Sequence, residues 1–188
     1  MPSSRGICDS GERITASAYL GRAASLAERI VKELTERKKM IAAAESCTAG
    51  LASDFIARIP GASGVLWGTF VTYTVDAKIR MLGVPASLIQ EYGAVSRQTA
   101  LTMAEAALEK SGASWAFSIT GLAGPAGSDS AGDSETPVGT IWIGISGRDG
   151  GLTEAKMFLF SGSRNEVREA AAAAALEELS LRIHQPYT

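Results

Sequence analysis

Residues 40–60 read MIAAAESCTAGLASDFIARIP, and the fold follows from how this stretch divides. MIAAA is short, apolar and small, as a buried strand requires. ESCTAG (45–50) is a turn of small residues. LASDFIARIP then opens a helix that must stop before Pro60 and Gly61. A buried strand passing through a tight turn into a helix is the repeating unit of α/β proteins. The same turn places Glu45, Ser46, Cys47 and Thr48 in a row, with three potential nucleophiles side by side.

Working outward, LGRAASLAERIVKELTERKK (20–39) carries Leu20, Ala23, Leu26, Ile30 and Leu34 at helical spacing, with basic residues at its end. VLWGTFVTY (65–73) is β-branched and aromatic, a strand. DAKIRMLGV (76–84) reads as a short helical turn, followed by SLIQEYGAV (87–95). SRQTALTMAEAALEKSGA (96–113) is a helix with Ser96 as N-cap and Gly112 as C-cap. WAFSI (115–119) is a second buried strand. VGTIWIGIS (138–146) and AKMFLF (155–160) are strands joined by a hairpin-like GRDGGLTE. SRNEVREAAAAAALEELSLRI (163–183) is a helix opened by a capping box, Ser163 with Glu166.

Strands alternating with helices predict a three-layer α/β/α sandwich, and the late strand–hairpin–strand pair predicts a mixed sheet. A single domain is expected over residues 17–185, preceded by a loose polar tail over 1–16. The loop TGLAGPAGSDSAGDSETP (120–137) is longer than connections usually are, which points to a functional segment.

The chain has 188 residues, 46% hydrophobic and 20% charged, with a net charge of −2. That is globular composition without the basic excess that phosphate backbones select, so nucleic acid is disfavoured as a main partner. No run is long enough to span a bilayer, and no membrane partner is expected. The two cysteines, Cys8 and Cys47, suit reduced thiols in the cytoplasm rather than a disulfide framework. The apolar 138–160 region suits an interface, and a homodimer or larger homo-oligomer is expected.

Histidine count limits the chemistry most. The only one is His184, near the C-terminus. A Ser-His-Asp or Cys-His mechanism has no support, nor has a histidine-rich metal site, so no metal is expected. A general base must come from another residue type.

Four segments carry the remaining chemistry. ESCTAG, at a helix start, sets backbone amides beside Ser46, Cys47 and Thr48. That arrangement binds an anion or stabilises an oxyanion, although a Ser or Thr there most often only caps the helix. TYTVDAK (72–78) offers Tyr73 and Lys78. A surface lysine is the plain reading. A lysine in an apolar cleft has a depressed pKa and serves as base toward a serine hydroxyl. ITGLAGPAG (119–127) brings small residues to a strand end, where a ligand can come close. It is not a phosphate-binding P-loop, and no G-x-G-x-x-G motif is present, so no cofactor is expected. FSGSRNEVREA (160–170) puts Arg164 in the first turn of the last helix, where it suits a phosphate or carboxylate or simply faces water. Arg168 is one turn on.

Taken in order, AESCTAG, GTFVTYTVDAKIRMLGV, GAVS, TGLAGP, TPVGTI and GSR resemble the C-terminal domain family of the competence/damage-inducible protein CinA, including its stand-alone nicotinamide-nucleotide amidohydrolase members. The resemblance covers roughly residues 20–183. It implies hydrolysis of the carboxamide of nicotinamide mononucleotide to nicotinate mononucleotide and ammonia, in pyridine-nucleotide recycling. By matching position it implies Ser46 as nucleophile, Lys78 as base and Tyr73 as a hydrogen-bonding helper. Substrate contacts are implied for Glu45, Thr48, Gly50, Thr120, Gly121, Gly124 and Arg164. Amides of the helix after Thr48 are expected to form the oxyanion site, and Glu45 is expected to hold Lys78 or a ring hydroxyl. Cys47 lacks the partner a thiolate needs. Ala49 and Val75 depart from the family's Gly and Asn, SDSAGDSE lengthens the loop, and Ser163 stands for the Asp of G-D-R. Ala49 and Val75 leave a second reading open: a nucleotide- or partner-binding module of the same fold, weak in turnover and tied to competence or DNA damage.

Overall fold

The structure, a computed structural model, describes residues 13–124, 136–148 and 152–184. In chain order the elements are β1 (Ile14–Thr15), α1 (Ala23–Arg37), β2 (Ile41–Glu45), α2 (Leu51–Ala57), β3 (Leu66–Val71), α3 (Val75–Ala77) running into a π-turn (Lys78–Leu82), α4 (Ala86–Tyr92), α5 (Arg97–Ser111), β4 (Trp115–Gly121), β5 (Thr140–Gly147), β6 (Leu152–Ser161) and α6 (Arg164–His184). The strands form one sheet in the order β1-β6-β5-β4-β2-β3. β2 runs parallel to both β3 and β4, whereas β4–β5 and β5–β6 are antiparallel. The sheet is mixed, as the β5–β6 hairpin predicts.

β2 is buried from end to end, and its alternation sorts the two sides of the sheet. Ile41, Ala43 and Cys47 join a core with α1, α2 and α6. Ala42 and Ala44 face Leu82, Met103, Ala107 and Leu108, on the side of α5. These are the three layers expected. The small side chains of β2 let both helical layers come close. α6 shows the same economy of volume: Ala170–Ala175 are all fully buried, six residues in succession. One helix face cannot bury six consecutive positions. α6 is enclosed by α1, α2 and the sheet together.

Local signals behave as their chemistry requires. Ser96 Oγ accepts the Thr99 amide at 3.1 Å, and Gly112 closes α5 at φ +68°. In the capping box the Ser163 amide donates to Glu166 Oε2 at 2.7 Å, and the hydrogen bonds from Ser163 hold the Glu166 carboxyl below its ordinary range. One boundary differs. Residues 14–16, expected within a loose tail over 1–16, belong to the fold: Ile14 and Thr15 pair with Phe160 and Ser161, and Ala16 is buried. Two-residue pairing gives no hydrophobic period for a sequence to show. Cys8 and most of the long loop, residues 125–135, lie outside the described residues. Among the described residues no helix is long and apolar enough to cross a membrane.

α5 lies directly on the sheet at Gly144. A Cβ there would stand 2.5 Å from the Ala100 carbonyl oxygen and 2.6 Å from Ser118 Oγ. Gly144→Ala is expected to lower the unfolding free energy by about 1–3 kcal/mol, read as a fall in the urea midpoint with an unchanged slope.

Candidate active site

The site grows from the end of β2. The Ser46 amide continues the ladder to Ile119 O (2.9 Å), and the Thr72 amide closes on Glu45 O (2.8 Å). Ser46 is therefore held one step past the strand, between its two neighbours. The chain then turns through two left-handed residues, Ala49 at φ +53° and Gly50 at φ +95°, into α2. Ala49 adopts the conformation that a glycine in its place would take without strain. The departure from the family's Gly leaves the turn intact.

Glu45 corrects one expectation. It does not reach Lys78. Its carboxylate faces α2 and accepts hydrogen bonds from the amides of Gly50 (2.9 Å), Ala52 (3.2 Å) and Ser53 (2.9 Å) and from Ser53 Oγ (2.7 Å). It is fully buried and serves as the cap that α2 lacks at Gly50. The helix amides expected to form the oxyanion site are thereby occupied. Ala49 donates to Ser46 O, Leu51 to Thr48 O and Asp54 to Gly50 O, and Glu45 takes the others.

Ser46 and Lys78 come together from 32 residues apart: Nζ donates to Ser46 Oγ at 2.9 Å and to Thr72 O at 3.0 Å. Ser46 Oγ has a longer contact to Tyr73 O at 3.4 Å. Thr74 Oγ1 caps α3 by accepting the Ala77 amide (3.1 Å), so Val75 in place of Asn does not disturb the helix start. The π-turn that follows is a wide turn of the kind found at functional sites, and it carries Lys78 to the face where Ser46 points. Lys78 is 2% exposed. Burial pushes its ammonium down to about 8. Cys47 points to the other side, into the core, where burial pushes its thiol up to about 12. A thiol held neutral there has no thiolate to attack with.

The rim is made by Arg164. Its guanidinium donates to the Gly124 carbonyl and to Tyr73 Oη (2.7 Å), joining α6, the end of the β4 loop and the β3 loop. Tyr73 is half exposed, and its contact with Ser46 is through its backbone carbonyl rather than its hydroxyl. Gly124 sits at φ +93°, where a Cβ would stand 2.9 Å from Val138.

Three further residues expected to contact substrate are engaged within the fold. Thr120 spends its hydroxyl on Ala94 O at 2.7 Å and is buried. Gly121 lies so close to β5 that a Cβ would stand 2.4 Å from Ile141 Cδ1. Gly50 gives its amide to Glu45. Thr48 does not cap: its hydroxyl, like that of Thr72, is buried without a partner among the described residues. Arg168 is the residue the sequence marks only by its spacing, four positions after Arg164 on one helix face. Its Nε donates to Cys47 O (3.0 Å) and its Nη2 to Thr48 O (3.1 Å). His184 stands at the end of α6 beside Glu33, with no part in this site.

Two outcomes follow for stability. The Lys78 ammonium is penalised in the folded state, so the folded chain binds fewer protons than the unfolded one between its pKa of about 8 and the ordinary 10.5. Stability rises with pH across that window, and below it the full cost remains. Lys78→Met is expected to raise the unfolding free energy near neutral pH by roughly 2–3 kcal/mol and to flatten the slope above pH 8, checked by urea titrations at several pH values. Ala49→Gly is expected to gain about 0.5–1 kcal/mol by removing left-handed strain, in the same titration.

Comparison with known proteins assigns this architecture. The family model of the CinA C-terminal domain matches residues 23–183. A CinA-like protein of Akkermansia muciniphila is 42% identical over 179 residues, covering 94% of this chain and 42% of that protein. One from Prochlorococcus marinus is 43% identical over 143 residues, covering 76% of this chain and 32% of its own length. The chain thus spans less than half the length of these curated relatives. Among solved structures, the competence/damage inducible protein CihA from Agrobacterium tumefaciens superposes with a TM-score of 0.81 at 42% identity, covering 88% of this chain and 97% of that one. A competence or damage-inducible protein from Enterobacter asburiae gives 0.80 at 31% identity, covering 86% and 98%. On the family match and these relatives, the chain belongs to the CinA C-terminal domain family.

Proposed function

We propose that this chain is an amidohydrolase that converts nicotinamide mononucleotide to nicotinate mononucleotide and ammonia. The observation that carries the reading is the buried Lys78 Nζ, 2.9 Å from Ser46 Oγ, with its ammonium pushed down to about 8. Family membership supports the choice of a nucleotide carboxamide. Arg164 supports it too, as a cation at the mouth of the site suited to a phosphate.

With Lys78 charged, Nζ donates to Ser46 and the serine proton has only Tyr73 O to face. With Lys78 neutral the bond reverses, and Ser46 donates to Nζ. Ser46 Oγ then attacks the carboxamide carbon as its proton passes to Nζ. The tetrahedral intermediate expels ammonia, which takes that proton, and leaves a Ser46 ester. Water adds to the ester as Lys78 accepts one of its protons. Lys78 returns that proton to Ser46 as the acid departs, and the acid gives its remaining proton to solvent to become the carboxylate. No group outside the chain and water is consumed.

Ammonia release from nicotinamide mononucleotide tests this. Ser46→Ala and Lys78→Ala are expected to lose on the order of 10³-fold or more in kcat, and Cys47→Ala to keep turnover. For the unaltered chain kcat/KM is expected to rise with pH through an apparent pKa near 8, since only neutral Lys78 accepts the serine proton. Turnover kept in Ser46→Ala, or a profile flat across that region, excludes the reading.

A further inference from the structure

A serine nucleophile creates negative charge on the carbonyl oxygen it attacks, and donors must already be in place to receive it. The α2 amides cannot do so, because Glu45 and the turn's own carbonyls occupy them. Earlier in the turn, the amide of Thr48 donates to no acceptor among the described residues. Its direction is fixed by the group on the other end of its peptide. Carbonyl and N–H of a trans peptide point in opposite directions. The Cys47 carbonyl is held by Arg168 Nε at 3.0 Å.

Arg168 belongs to α6, whose neighbouring Val167 and Ala170 pack in the core on one side of the sheet, with Cys47. Ser46 Oγ lies on the other side, bonded to Lys78, whose turn ends at Leu82 in the opposite core cluster. Pulling the Cys47 carbonyl toward α6 therefore turns the Thr48 N–H away from α6, toward the face of Ser46 and Lys78. The same guanidinium takes the next carbonyl, Thr48 O, at 3.1 Å through Nη2, so two successive peptides are locked. Nη1 donates to Asn165 Oδ1 at 3.3 Å, which steadies the fork. The lock has a purpose in this turn. Gly50, two residues on, is the most permissive residue for a peptide flip.

We infer that Arg168 is a positioning residue for the oxyanion site, and that the amide it aims, Thr48 N–H, is a donor to the carbonyl oxygen of the substrate. A guanidinium on the carbonyl also polarises the peptide and strengthens the N–H as a donor. The inference rests on the Ser46 acyl-transfer reading above.

The test measures kcat, KM and two affinities in Arg168→Gln and Arg168→Lys: one for nicotinate mononucleotide, the other for the nucleotide analogue with an aldehyde in place of the carboxamide. The aldehyde adds to Ser46 Oγ as a hemiacetal and so places an oxygen where the oxyanion forms. Arg168→Gln is expected to lower kcat by about 10²–10³-fold and to weaken the aldehyde by a similar factor, with KM and nicotinate mononucleotide affinity within about threefold. Arg168→Lys, which keeps the charge but cannot span two carbonyls, is expected to fall between, and it stays informative if the Gln variant does not fold. An aldehyde affinity and kcat within about threefold of the unaltered chain overturns the inference. So does a loss that falls equally on nicotinate mononucleotide, which marks a merely structural role. Failure of the underlying reading looks different: the unaltered chain then releases no ammonia and forms no Ser46 adduct, and the inference falls with it.

Discussion

The Glu45 carboxylate lies fully buried at the end of β2, and its two oxygens take four hydrogen bonds from the start of α2. A carboxylate removed from water is costly unless its lone pairs are met, and here they are met by backbone groups that would otherwise be orphans at a helix start. That exchange ties strand to helix at one atom pair after another. It fixes the turn between them, and the turn fixes Ser46. Because Glu45 faces α2, strand alternation sends Ser46 to the opposite side and Cys47 back into the core. It is thus Ser46, and not Cys47, that the backbone turns toward Lys78.

The opposite side carries the costs. Lys78 is 2% exposed, with its charge disfavoured, and the hydroxyls of Thr48 and Thr72 are buried without partners among the described residues. Ala49 is held in a left-handed conformation. Each of these lowers stability, and all lie within the turn that bears Ser46 or beside the lysine that it meets. Several local rules broken together around one turn are what a site shaped by something other than folding would show.

Much of the architecture was legible in the sequence. Strands announced themselves by β-branched and apolar runs, α5 by Ser96 and Gly112, and α6 by its capping box. The pairing of Ser46 with Lys78 was legible only through the order of spaced motifs, because no local pattern reports a contact over 32 residues. The roles of Glu45, Thr120 and Gly121 were not legible. A polar or small residue near a turn has the same letter whether it serves a ligand or the backbone, and here the backbone claims all three. Arg168 illustrates the converse. Nothing in a helical Arg shows that it reaches across to a strand end until the two elements are docked.

That docking gives the alanines of α6 a reach beyond their own neighbourhood. Ala170–Ala175 let the helix settle against α1, α2 and the sheet, and the guanidinium groups that reach the rim and the turn leave its first two turns. The helix is stiff and the side chains are of fixed length. Any extra methyl groups along the alanine stretch act like a shim under a beam, lifting the end that holds Arg164 and Arg168 off the carbonyls of Gly124, Cys47 and Thr48. The geometry of the candidate site is in this sense distributed along a buried stretch remote from Ser46 and Lys78, and substitutions there can shift Arg164 and Arg168 without changing any residue of the site itself.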